Sequence, residues 1–376
     1  MAASPRSDIV NPHEIGVYHC WTRCVRRTRL CGVDPLTGKD FSYRRDWIIS
    51  FQQECATLFA IELAFHAILA NHNHNIIRNR PDIAATWTPE EVVRRWLTIT
   101  HLVKSKDGKP QEFTEEDIAA EMSDPERVEE LRVRLADPSV YMASINEHIA
   151  RRCNREDGVT GHFWEGRFEC RNLVDEAAIL VCGIYVDLNQ IRAGEATTPE
   201  NSQYTSAYCR IQAFQQQQQE ASPTVAEADA DAAAADAAVV ANSNEPAATT
   251  AQLADAWLCE LTLDESSNGD TAYDLQSKSG LRPSDRGILP ISFTKYLELL
   301  DATGRVVLEK KGSIPSHLAP ILERLGINTE LWGEMVQDFD TMFGKVVGAA
   351  ATVAERAAAT GRRWFQGQPN CRAAFG

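Results

Sequence analysis

Two histidines, His72 and His74, lie two residues apart in the stretch AILANHNHNII. On a strand the side chains alternate between faces, so positions i and i+2 project together and offer two imidazoles to one metal ion. A second stretch, CGIYVDLNQIRAG, spaces Tyr185 and Asn189 four residues apart, which on a helix puts both on one face. A neutral phenol, with a pKa near 10, is a weak nucleophile. It attacks phosphate only if it loses its proton during attack and a metal polarises the phosphate. Tyr185 as nucleophile, with His72, His74 and the Asn189 carbonyl oxygen on one metal, makes a site for such chemistry. The plainer reading of the same residues is a polar turn at HNHN and a core tyrosine at position 185.

The elements that must hold these residues can be read from patterning. VYHCWTRCV is rich in β-branched and aromatic residues and predicts a strand. YRRDWIISFQQECATLFAI carries Trp47, Ile48, Phe51, Cys55, Leu58 and Phe59 at helical spacing. ELAFHAILAN and HNHNIIRNR predict two short strands meeting at Asn71 and His72. TPEEVVRRWLTIT predicts a capped helix, TEEDIAAEMSDPERVEELRVRLA two more broken at Asp124-Pro125, and MASINEHIARRCNRE another that closes near Gly158. FWEGRFECRNLV predicts a strand, and DEAAILVCGIYVDLNQIRAG a helix with an Asp cap and a stop at Gly194.

This order suggests an α+β protein with a ferredoxin-like (RRM-like) sandwich over residues 10–212 and a helical insertion at about 85–140. Residues 213–255 turn to glutamine, alanine and acids with few large apolar side chains, the composition of a linker. Residues 256–376 hold amphipathic stretches such as HLAPILERLGI and predict a small all-helical C-terminal domain.

Composition sets the class. No apolar run approaches the length of a membrane span and the N-terminus lacks a signal-like apolar region, so a soluble cytoplasmic protein is expected, with no membrane partner. The ten cysteines include no CxxC pair and read as reduced, buried residues; Cys20, Cys24 and Cys31 with His19 fit no standard zinc spacing. The net charge of −15 argues against a uniformly basic DNA-coating protein. The negative excess is local, however, since no Lys or Arg occurs between Arg210 and Lys278. Basic residues gather early, at Arg23, Arg26, Arg27 and Arg29, where a phosphate backbone would bind.

The stretch AILANHNHNIIRNRPD, followed by FWEGRF and then IYVDLNQIRAG, resembles the single-tyrosine HUH transposases, specifically the REP-associated tyrosine transposase branch. The three motifs stand in the family's order over roughly residues 14–206. The resemblance implies a ferredoxin-like sandwich with the histidines on a central strand and the tyrosine on a following helix. It makes His72, His74 and Asn189 ligands of Mg²⁺ or Mn²⁺ and Tyr185 the nucleophile. The family cuts single-stranded DNA near hairpins, leaving a 5′-phosphotyrosine and a free 3′-hydroxyl. On that reading Arg23, Arg26, Arg27, Arg167 and Arg192 contact the DNA and Trp164 stacks on an unpaired base. The protein acts as a monomer or as a homodimer in which Tyr185 completes its own or a partner's site. Two positions depart from the pattern: Asn73 where the family has a bulky apolar residue, and Gln190 where it has proline. The alternative expectation is a DNA-hairpin-binding descendant that no longer cuts.

Overall fold

Alternating side chains in GVYHCWTR build strand β1 (Gly16–Arg23), whose Val17, Tyr18, His19 and Cys20 are all buried. The computed structural model describes residues 8–104, 112–221, 253–263, 276–309, 339–362, 364–365 and 367–375. Helix α1 (Arg44–Leu58) follows, then the hairpin strands β2 (Ile61–Ile68) and β3 (His72–Asn79). A helical run comes next: α2 (Pro81–Thr86), α3 (Pro89–Lys104), α4 (Glu115–Met122), α5 (Pro125–Leu135) and α6 (Pro138–Asp157). A reciprocal Thr114–Asp117 capping box starts α4. Asp124 caps α5 with proline at its first turn, which accounts for the break between the two. Gly158 ends α6 in the left-handed conformation, φ 65°, that L side chains avoid.

Strand β4 (Glu169–Leu173) takes only the second half of FWEGRFECRNLV; the first half is irregular, touching β1's end through a Cys24–Trp164 bridge. Helices α7 (Glu176–Asp187), α8 (Asn189–Arg192) and α9 (Ser206–Ala221) come after it. Helix α9 runs through the glutamine tract, so regular structure extends past the expected linker boundary. Residues 222–252 and the stretch HLAPILERLGI lie outside the described residues.

The chain forms a mixed α/β architecture on a five-stranded sheet of order β2-β3-β1-β4-β5, where β5 is Val346–Val347. The pairings among β1 to β4 are antiparallel, and β4 pairs with β5 in parallel. One face packs on α1 and α6 through Tyr18, Cys20, Ile77, Phe51 and Ile145. The other packs on α7 through Phe65, Ala67, Ile76 and Leu173.

The C-terminal residues depart from the expected separate all-helical unit. Besides α10 (Phe293–Glu309), α11 (Phe339–Met342), α12 (Ala350–Ala359) and α13 (Gln368–Phe375), they supply β5 to the sheet. Leu261, Leu289, Tyr296 and Phe339 also join the apolar cluster around α7. The cause lies in α7 itself. Every residue from Ala177 to Asp187 is buried, and a helix apolar on all sides needs cover on the side away from its sheet. No described helix is long and apolar enough to cross a membrane.

Candidate functional site

The register of the sheet gathers the histidines. β1 pairs with β3 so that Trp21 faces His74, Arg23 faces His72 and His19 faces Ile76, while β4 sets Arg171 opposite His19. Strand alternation then puts His19, Trp21, Arg23, His72, His74 and Arg171 on one face, the face covered by α7. The His72 and His74 rings lie 5.1 Å apart, centre to centre. His19 stacks on His74 at 5.1 Å, and its Nε2 sits 2.9 Å from His74 Nδ1. His72 Nδ1 is 2.6 Å from Asn71 Oδ1.

Helix α7 brings Tyr185 down onto this group. Gly183 allows the approach, because a Cβ there would stand 2.9 Å from the Phe65 ring on β2. Tyr185 meets His74 edge to face at 5.5 Å and His19 at 6.1 Å. The Arg192 guanidinium lies over the Tyr185 ring at 5.1 Å. Phe339 of α11 also stacks on Tyr185, at 5.3 Å with 26° between planes. Tyr185 is 7% exposed and Phe339 fully buried, so the phenol lies under a C-terminal side chain. Burial, then the nearby His72, His19, Arg171 and Arg23, pushes the His74 imidazole well below its ordinary range. His74 is thus neutral at physiological pH, the form that ligates metal.

Both departures from the family pattern have structural answers. Asn73 points to the opposite face, where Thr22 Oγ1 donates to its Oδ1 at 2.5 Å. It belongs to a row of asparagines: Gln52 donates to Asn75, and Asn79 accepts from the Gly16 N–H while donating to the Asn11 and Glu14 carbonyls. An apolar residue at 73 would strand Thr22. Gln190 of α8 donates to the Ile68 carbonyl at 2.9 Å and ties α8 to the end of β2.

The other expected site residues divide. Arg26 and Arg27 are exposed on the strap after β1, both with left-handed φ (53° and 56°), and Arg167 is exposed in the WEGRF loop. Arg23 and Arg192 are half-buried beside the histidine–tyrosine group. Trp164 does not offer a face for stacking. It is 7% exposed, packed edge to face on Phe163, and donates through Nε1 to the Asn146 carbonyl at 2.9 Å. Sequence reading missed His19, Arg171 and Phe339. Period-two alternation in VYHCWTR could have placed His19 beside the HNH histidines once the strand order was known. No local signal marks Phe339.

The residues present fit a divalent cation of modest demand. Two imidazoles leave positions for water or phosphate oxygens, as Mn²⁺ and Mg²⁺ accept. Asn189, just past α7, is 8% exposed; its buried Nδ2, an N–H donor that cannot ligate a cation, has no hydrogen-bond partner among the described residues. No cluster of three or more His, Cys, Asp or Glu side chains forms a metal cage among the described residues. A cavity of about 700 Å³ opens elsewhere, past the far end of β1 between Tyr18, Arg80, Asp175 and Arg356, away from the histidines.

No protein-family model matches the chain, and no curated protein matches it either. Among solved structures, the chain is similar to a REP-associated tyrosine transposase bound to a REP hairpin, at 13% identity and a TM-score of 0.29. The match covers 53% of this chain and 79% of the other. The likeness is distant.

Proposed function

We propose that this chain is a metal-dependent, single-tyrosine nuclease and strand transferase of the HUH type, acting on single-stranded or hairpin DNA. The observation that carries the reading is the contact of Tyr185 on α7 with His74 on β3, which brings two widely separated motifs into one site. The β2-β3-β1-β4 order supports a ferredoxin-like sandwich, since it interleaves two split β-α-β units. His72, His74 and Asn189 hold Mg²⁺ or Mn²⁺, which supplies polarisation of the scissile phosphate when bound.

The chain's own residues do the rest. The Tyr185 oxygen bonds to phosphorus and the bond to the 3′ oxygen breaks. The phosphate stays on Tyr185 through its 5′ side, and the 3′ oxygen leaves as a hydroxyl with the proton the phenol gives up. The reverse reaction with another 3′-hydroxyl rejoins strands. Arg23, Arg171 and Arg192 surround the site with positive charge suited to a phosphodiester. Arg26, Arg27 and Arg167 grip the flanking backbone.

One observation favours a second reading, a DNA-hairpin-binding protein that does not cut: Phe339 covers Tyr185. The test is a labelled single-stranded hairpin incubated with Mn²⁺ and the protein, beside a Tyr185→Phe variant. A covalent protein–DNA adduct on a denaturing gel that disappears in the variant supports cutting. Binding without adduct across varied hairpins supports the second reading.

A further inference from the structure

We infer that Glu195 is a positioning residue that clamps the end of the tyrosine-bearing helical run to the turn before the histidine pair. The role rests on the nuclease reading above.

The helix before it places the carboxylate. Helix α8 continues α7 with only Leu188 between them, and the Leu188 and Arg192 N–H groups keep helical bonds to the Ile184 and Leu188 carbonyls. Gly194 ends the run in the left-handed conformation, φ 71°. The Gly194 N–H donates to the Ile191 carbonyl at 3.1 Å and the Glu195 N–H to the Gln190 carbonyl at 2.9 Å, the paired bonds of a Schellman cap. Glu195 is thereby fixed to the helical run that carries Tyr185.

Each carboxylate oxygen has its own partner. Oε1 accepts from the Ala70 N–H at 3.1 Å, and Oε2 from Arg45 Nη1 at 2.9 Å. Ala70 lies in the β2–β3 turn, two residues before His72. Arg45 is itself tied down: its Nε donates to the Cys31 carbonyl at 2.7 Å, and the Cys31 N–H donates to the Ala70 carbonyl at 2.8 Å. Gly32 lets these segments meet, because a Cβ there would stand 2.5 Å from the Ala70 Cβ. The carboxylate thus closes a ring of hydrogen bonds through the histidine turn, the strap after β1 and the start of α1. Tyr185 and His74 meet edge to face between α7 and β3, so a shift of either backbone moves the phenol against the histidine pair. Both bonds need a carboxylate. An amide has one acceptor oxygen, so glutamine keeps one partner and turns its NH₂ toward the other's donor.

The experiment compares the full chain with its Glu195→Ala and Glu195→Gln variants, circular dichroism confirming each fold. In metal-free protein labelled at tyrosine and histidine, the nuclear Overhauser contact between the Tyr185 and His74 rings weakens in Glu195→Ala and weakens less in Glu195→Gln. With Mn²⁺ and a saturating labelled hairpin, Glu195→Ala slows adduct formation roughly 100-fold, the effect of a misplaced reacting group. Hairpin affinity does not fall, because Glu195 offers no positive charge to phosphate. Where Glu195→Ala fails to fold, Glu195→Gln carries the comparison. An unchanged ring contact overturns the inference. So does an adduct rate that holds, or one that falls only with a matching loss of hairpin binding. A wild type that forms no adduct, with the ring contact still weakened in Glu195→Ala, upholds the clamp and overturns the nuclease reading instead.

Discussion

His66 on β2 shows what the same residue type does when no site claims it. It is fully buried beside Trp257, and neither ring nitrogen has a hydrogen-bond partner among the described residues. Burial, aided by the Arg210 charge, pushes its pKa down to about 3. With a folded value below the unfolded one, the unfolded chain binds more protons between the two. Stability from this group is complete above about pH 6.5 and drains away as the pH falls toward 3. From pH 7 to pH 4 the loss is on the order of 3 kcal/mol, at about 1.4 kcal/mol per unit. In His66→Leu, urea unfolding curves over that range should show a visibly shallower decline, with stability at pH 7 changed by about 1 kcal/mol or less because no hydrogen bond is given up. A parallel decline in both proteins would show that His66 does not carry the acid sensitivity. Sequence alone could not separate His66 from His74: both lie in apolar strand contexts, and only the register assigns one to the α7 face and the other to the Gln52 and Asn75 side.

At the scale of elements, strands and capped helices were legible because each rests on local chemistry. β1, β2, β3 and α1 fall where alternation and helical spacing put them, and the α4–α5 break falls at Asp124-Pro125. FWEGRF misled because its aromatic residues serve a loop, where Trp164 fills the core under α6 rather than alternating along a strand. Asn73, the polar departure from the resembled motif, sits in the strand because its neighbour across the ladder supplies the hydrogen bond a buried polar residue needs. That gives a direct test, since Thr22→Val preserves shape and removes the donor. The Asn73 oxygen then stays buried and unpaired, and unfolding free energy should drop by about 1–3 kcal/mol. Thr22→Val with Asn73→Leu should recover most of that loss; no recovery would mean that the pair is not the source. Between elements, the contact of α11 with α7 governs access. Phe339→Ala should raise the nitration of Tyr185 by tetranitromethane, followed by peptide mass spectrometry, and cost about 3–5 kcal/mol as a buried aromatic is lost. Unchanged nitration would show that Phe339 does not shield the phenol.

For the whole molecule, the central question is whether the C-terminal residues are an appendage or part of the body that holds the site. The ion network around Glu62 argues for the second. Glu62 on β2 is fully buried and pairs with Arg78 and Arg80, while Ser284 bonds both Glu62 and Arg80. Arg78 also donates to the carbonyls of Gly287 at 2.9 Å and Arg286 at 2.6 Å. Buried charges persist only when their hydrogen bonds are filled, and here the acceptors come from residues about two hundred positions away in sequence, where no local pattern could reveal them. Tyr296 adds a second tie, donating to the buried Asp187 at the end of α7 at 2.6 Å. Glu62→Gln leaves the buried Arg78 guanidinium without its paired carboxylate, while Arg80 keeps Asp82 at 2.7 Å, and should destabilise the chain by about 3–5 kcal/mol. The exposed Arg94–Glu90 pair should matter by less than about 1 kcal/mol when broken. A chain ending at residue 255 loses the acceptors of Arg78 and uncovers Leu180, Ile184 and Tyr185 on α7. It should bind a hydrophobic dye, lose near-ultraviolet dichroism and unfold without a cooperative transition, even though every residue of the proposed site is present. A truncated chain that unfolds cooperatively with its aromatic dichroism intact would show that the sheet and α7 stand on their own, and that Phe339 covers Tyr185 as an added layer rather than as part of one core.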